Sequence, residues 1–324
     1  MKKTLVALAV LAASGASFAQ VTMTGEFTWG YKAVSNGAGT DSSGFGVDYS
    51  NINFAATEDL GGGTKVSVKM GIDGADRSGD GVGGPTTGQD ANITLTGGFG
   101  KLMLATMENG NYLGNGIANA GDPAWIDLDN KVQGAKNNGD RIQYAYAFGP
   151  VTLGLQHLEA AAGLGEGLGQ TGNTAQRRNL IEVTYAAGPL TANAGYAAYD
   201  NQIDNSTATS VSRLRGSANY DFGVAKVGFG IESTKKNKGT VTDTFLGANA
   251  PIGALTLALS WGSNKVDADG AIGIVDGTKS GYGLGAAYAL SKRTQLIANY
   301  RSYEATVNAA NRSTDTRLYI DHSF

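Results

Sequence analysis

Carboxylates gather in one stretch of this sequence. Glu108, Asp122, Asp127 and Asp129 fall within a polar segment from about Met107 to Gly139, with Lys131 and Lys136 opposing them. Five bases, Lys69, Arg141, Arg213, Arg215 and Arg317, lie elsewhere, each in a segment where apolar and polar residues alternate. An acidic segment set against a basic wall across a narrow aqueous passage creates a transverse field. Ions there have lost part of their hydration, so fixed charges act on them more strongly than in bulk water. The chemistry would be selection of charged solutes. The plainer alternative is that the acids are simply solvated.

Other chemistry is poorly supported. His157 falls on the apolar phase of its segment, and beside His322 the one hydroxyl, Ser323, points to the opposite face. A Ser–His–acid arrangement therefore has no candidate nucleophile. Cysteine is absent, which removes disulfide frameworks and thiolate metal sites. The glycine-rich stretches Gly163–Gly169 and Gly281–Gly285 resemble phosphate loops, but no helix follows either of them. Asp267-Ala268-Asp269-Gly270 lacks the regular ligands and closing Glu of a calcium loop. No catalytic residue, metal or cofactor is expected. Tyr112 and Trp125 in the acidic stretch could stack on sugar rings, although a loop aromatic more often pins its loop to a wall.

The elements that must position these charges are strands. Ile142, Tyr144, Tyr146 and Phe148 alternate with Arg141 and Gln143; Ile181, Val183 and Tyr185 alternate with Glu182 and Thr184. Leu255, Leu257, Leu259 and Trp261 repeat the pattern, as do Val66, Val68, Met70 and Ile72 around Lys69. A strand points successive side chains to opposite faces, so each has one oily and one wet face. Tyr and Trp fall near strand ends beside the oily face, as at Trp29, Tyr185, Tyr220, Trp261 and Tyr288. That is their preference at a lipid–water boundary, whereas a sandwich core would hold them mid-strand.

Seven short turns punctuate the strands: Asp59–Gly63, Gly97–Gly100, Phe148–Val151, Ala187–Leu190, Asp221–Val224, Pro251–Ala254 and Leu290–Arg293. Long polar segments join the opposite ends. Seven turns separate eight hairpins, hence sixteen strands of about 10–11 residues, which is the layout of a membrane-spanning barrel. Sixteen strands leave a water-filled channel. The expected fold is therefore all-β: a 16-stranded antiparallel transmembrane β-barrel over residues 20–324. Residues 1–19, with Lys2, Lys3, an apolar run and a small-residue end, read as a cleaved secretory signal peptide. Without Lys2 and Lys3 the formal charge of −3 becomes −5, which argues against a nucleic-acid partner.

Four pieces, in order, carry a family likeness: Glu58–Gly63, Gly97–Gly100, Tyr288–Thr294, and the terminal Leu318 to Phe324. The chain resembles the general trimeric porins of Gram-negative outer membranes, nearest to those of β-proteobacteria. The resemblance implies a homotrimer in outer-membrane lipid and lipopolysaccharide, with the third loop folded inward as a constriction. It also implies that Leu318, Ile320 and Phe324 are read by the barrel-insertion machinery. The chain departs from the family near Asn51 and Ala55 and at Ala105-Thr106-Met107, where those porins carry basic residues. With an acidic third loop, this leads to an expectation of mild cation selectivity in a passive channel for small hydrophilic solutes. A substrate-selective channel of the same fold, or an adhesive barrel, is the alternative.

Overall fold

The computed structural model describes residues 20–324 except 38, 40, 75–86, 110–112, 129–130, 134–136, 162–174, 201–209 and 270–274. The proposed signal segment 1–19, Asp129, Lys136 and Tyr112 lie outside the described residues. Sixteen strands follow one another: β1 (Gln20–Ser35), β2 (Asp41–Gly61), β3 (Thr64–Asp73), β4 (Thr87–Gly97), β5 (Gly100–Asn109), β6 (Asn137–Phe148), β7 (Val151–Ala161) and β8 (Ala175–Ala187). They continue with β9 (Leu190–Asp200), β10 (Ser210–Asp221), β11 (Lys226–Lys236), β12 (Thr240–Ile252), β13 (Leu255–Asp267), β14 (Gly277–Ala289), β15 (Thr294–Tyr303) and β16 (Ser313–Ser323). Each pairs antiparallel with its sequence neighbours, and β1 pairs with β16 to close the barrel.

All seven short turns fall between strands as the spacing predicts. Gly149, Gly188 and Gly253 take positive φ there, which a β-carbon would strain. Two details differ. The first hairpin is longer than expected, with β2 spanning 21 residues and a register shift between Thr28 and Trp29. Pro251 is the penultimate residue of β12 and lies inside the strand, at an end where a lost ladder bond matters least.

The faces are inverted relative to a water-soluble sheet. On β13, Leu257, Leu259 and Trp261 are 44%, 42% and 41% exposed, while Ala258 and Ser260 between them are buried. Trp261 pairs with Tyr282, whose ring lies 6.3 Å from that of Tyr300, forming part of an aromatic rim on the loop side. Phe148, Tyr185, Tyr220 and Tyr288 mark the turn side. An apolar band flanked by aromatics on the outward surface is what hydrocarbon with two interfaces requires. The barrel interior is not packed with strand side chains. Both buried apolar clusters form where the long segment between Asn109 and Asn137 meets the inner wall.

Candidate functional site

The third loop lies inside the barrel because the wall there is cut away to receive it. Inward positions on β11 to β14 are occupied by glycines: Gly230, Gly247, Gly262, Gly281 and Gly283. A β-carbon on Gly283 would stand 2.6 Å from the Ile126 carbonyl oxygen, and one on Gly247 2.6 Å from that of Asn119. Into this trough the loop presents Leu113, Ala118, Ile126, Leu128 and Val132, all buried. Each of the four larger side chains withdrawn from water contributes roughly 1.5–3 kcal/mol.

Wall side chains then satisfy the loop backbone. Asn249 donates to the carbonyls of Ala120 and Gly121 at 2.6 and 2.7 Å, Asn299 donates to that of Ala124 at 2.7 Å, and Ser260 Oγ donates to that of Ile126 at 2.5 Å. Irregular backbone at membrane depth is tolerated only when its polar groups are met in this way. Trp125, at φ 52°, packs against the second cluster with its ring 6.2 Å from that of Tyr319. This contact fastens the loop to the wall.

Among the described residues, the expected constriction acids Glu108, Asp122 and Asp127 take three different settings. Asp122 turns into the loop and accepts the backbone N–H groups of Ala124, Ile126 and Asp127 at 3.0, 2.5 and 2.9 Å. Burial pushes its carboxyl up to about 6, against the pull of those three donors, and nearby Asp127 adds to the rise. Asp127 Oδ1 lies 3.5 Å from Arg301 Nη1. Glu108 belongs to β5, on the outward phase shared with Leu104, so its expected place on the loop is corrected. Of the two loop bases, Lys131 sits 5.5 Å from the Tyr303 ring, its ammonium lowered by burial and by Arg301.

The five wall bases all lie on the inward phase, in two different states. Arg317 is bidentate to Asp315 at 2.9 and 2.9 Å and reaches Asp48 at 3.1 Å. Arg301 joins the same Asp315 at 2.6 Å, and Lys32 joins Asp48 at 3.3 Å. This network runs across the β15–β16–β1–β2 closure. Arg213 and Arg215 share Glu232 at 3.4 and 2.5 Å. Lys69 stays exposed, opposite Ala55 on β2 and Asn92 on β4.

Arg141 and Arg215 line a cavity of ≈ 250 Å³ between the wall and the loop segment Leu113–Ile117, together with Arg178 and Glu182. Arg178 is buried and donates to the Gln156 amide oxygen at 2.5 Å. Arg178, Glu232 and Arg301 were absent from the sequence-based site. Their signal was the alternation itself: Arg178 shares the phase of Glu182, and Arg301 the phase opposite Tyr300. His157 bonds Asn179 at 2.8 Å, and His322 bonds the Thr294 hydroxyl at 2.9 Å, both on the outward phase. At the other chain end, Leu318, Ile320 and Phe324 are exposed on one outward face. Phe324 exchanges backbone hydrogen bonds with Gly25 at 3.0 and 2.9 Å.

A closed sixteen-stranded barrel with an apolar outside, a polar inside and a loop seated within it defines a membrane channel. The chain is a Gram-negative porin: residues 4–308 match the family of that description. It is 30% identical to outer membrane porin protein 32 of Delftia acidovorans over an alignment 365 positions long, covering 100% of both chains. Among solved structures it superposes on the anion-selective porin from Comamonas acidovorans with a TM-score of 0.70 at 22% identity, covering 94% of this chain and 100% of that one. A loop-deletion variant of OmpT, an outer membrane protein of Vibrio cholerae, superposes with a TM-score of 0.69 at 12% identity, covering 94% of this chain and 99% of that one. The protein is thus an outer-membrane porin of the β-proteobacterial type.

Proposed function

We propose that this porin is a passive diffusion channel for small hydrophilic solutes and ions, working as a homotrimer, with a weak preference for anions. One observation carries the sign of the preference. The cavity between the loop and the wall is lined by Arg141, Arg178, Arg215 and one carboxylate, Glu182; Arg215 is held by Glu232 at 2.5 Å, so Arg141 and Arg178 carry the positive excess. In a confined aqueous passage that imbalance favours anions.

The cation preference expected from the loop acids is withdrawn. Asp122 is spent on the loop's own backbone and Asp127 stands beside Arg301. The missing strand-two bases are offset by Arg141 and Arg178 on β6 and β8. The selectivity of the Comamonas acidovorans porin agrees in sign. Removal of residues 1–19 on export, contact with lipopolysaccharide, and reading of Leu318, Ile320 and Phe324 by the insertion machinery complete the proposal.

The test is a planar bilayer under a KCl gradient. A reversal potential on the chloride side is expected, with conductance rising in steps of three. A clear potassium preference would overturn the assignment of sign, and the absence of steps would overturn the channel reading.

A further inference from the structure

The same cavity has two poles. Arg178 and Glu182 lie on one face of β8, four residues apart and thus separated by roughly 13 Å of strand. Both side chains line the cavity, with Arg141 beside the basic end; Arg215, in the row of Glu182 across Gly195, is held by Glu232 at 2.5 Å. Arg178 is only 4% exposed, and its Nε has no hydrogen-bond partner among the described residues. Its Nη2 donates to the neutral amide of Gln156, which brings no counter-charge. Glu182 is half-buried over Gly154 and makes no hydrogen bond or ion pair among the described residues. Elsewhere on the inner wall acids and bases meet directly, as in Arg215–Glu232 at 2.5 Å and Arg301–Asp315 at 2.6 Å. Here an acid and a base of the same strand face one space without meeting. Amide and hydroxyl groups from Gln143, Asn193 and Ser217 lie around them, and Leu113 and Ile117 close the cavity from the loop.

We propose that this cavity is a binding subsite for small zwitterions of amino-acid size, which rests on the channel reading above. The solute's carboxylate takes the Arg178–Arg141 end, where a planar guanidinium offers paired donors and Arg178 Nε is unmet. Its ammonium takes Glu182. The short apolar middle lies against Leu113 and Ile117. A simple anion would gain only the first of these contacts, and a simple cation only the second. The subsite therefore favours solutes whose opposite charges are separated by a few bonds.

The experiment is current block in single trimers in planar bilayers at low KCl. The probes are 4-aminobutyrate, butyrate and butylammonium, with wild type, Glu182→Gln and Arg178→Gln. In wild type, 4-aminobutyrate should half-block at about threefold lower concentration than butyrate, the scale of one half-exposed ion pair. Butylammonium should block least. Glu182→Gln should erase the advantage of 4-aminobutyrate over butyrate, with butyrate block strengthened because a carboxylate has left the cavity, and Arg178→Gln should weaken both. Should Arg178→Gln fail to assemble, Glu182→Gln alone decides the matter. Equal block by 4-aminobutyrate and butyrate in wild type, or an advantage that persists in Glu182→Gln, overturns the subsite. A wild-type channel that prefers potassium, yet keeps an advantage for 4-aminobutyrate that Glu182→Gln erases, overturns the anion preference and supports the subsite.

Discussion

Arg301 on β15 holds the third loop at Asp127 through two contacts: Nη1 lies 3.0 Å from the Asp127 carbonyl oxygen and 3.5 Å from its carboxylate. The same guanidinium binds Asp315 on β16 at 2.6 Å. One side chain thus ties the loop to the strand that closes the barrel. The carboxylate contact is the weaker of the two to the loop, because Asp127 is partly exposed. Asp127→Asn should therefore shift the reversal potential by only a few millivolts and cost about 1 kcal/mol or less. Open-channel current noise, which reports loop motion, is the measurement. A large loss of cation permeability would return Asp127 to the constriction.

Removing the arginine is a different matter. Arg301→Met leaves Asp315, itself only 2% exposed, with Arg317 as its remaining partner in the pair network. Because Arg317 still holds Asp315, the loss should stay below the about 3–5 kcal/mol that a buried charge left without a partner costs. The variant should unfold at markedly lower denaturant than wild type, in refolded detergent or lipid samples. It should also be noisier than Asp127→Asn, since both contacts to the loop are lost.

The glycine trough makes a steric prediction. Gly283→Val would force its side chain against the Ile126 carbonyl and the Ser260 hydroxyl, 2.6 and 2.7 Å from the new β-carbon. Neither is a flexible tip, since one is backbone and the other is committed to that backbone. The loop should lift from the wall, changing unit conductance and altering sugar uptake in liposome swelling. Gly98→Ala, at a turn where a β-carbon meets nothing within 4 Å, should leave both unchanged.

These sites separate what alternation could reveal from what it could not. The period of two put Lys69, Arg141, Arg213, Arg215 and Arg317 on inward positions, because a strand allows only two faces. The same rule could have recovered Arg178 and Arg301. The loop's path was hidden for a physical reason. It is set by contacts such as Asn249 to Ala120 and Asn299 to Ala124, between residues 129 and 175 positions apart. The glycines that admit the loop read locally as weak strand formers, and nothing near them in sequence shows what they accommodate. The acids misled because a carboxylate in a polar loop reads as exposed, whereas Asp122 is consumed by N–H groups within five residues of itself.

Asp122 also gives the loop a pH dependence. Its folded-state value of about 6 exceeds the ordinary 3.8, chiefly through burial. Between those values the folded loop holds a proton that the released loop has lost, so attachment weakens as pH rises from about 4 to 6. Below about pH 4 the carboxyl is neutral in both states and the penalty is absent. The effect is on the order of 3 kcal/mol at most. Current noise should grow over this interval in wild type, and Asp122→Asn should flatten the profile. An unchanged profile in Asp122→Asn would assign the transition to another group.

The basic wall allows a test with opposite signs. Glu232 neutralises Arg213 and Arg215 together, at 3.4 and 2.5 Å, and all three are largely buried. Glu232→Gln would leave two neighbouring guanidiniums without that counter-charge. Two outcomes should appear together: the reversal potential moves further toward chloride, and stability falls by about 3–5 kcal/mol, because a buried charge has lost its partner. Arg141→Gln removes a positive charge from the cavity lining, so its reversal potential should move toward potassium. Raising salt from 0.1 to 1 M shortens the screening length from about 10 to 3 Å and should shrink both shifts. If instead the two variants move the reversal potential in the same direction, the guanidinium wall does not set the selectivity. The determinant would then lie nearer to Lys69 or to the loop acids.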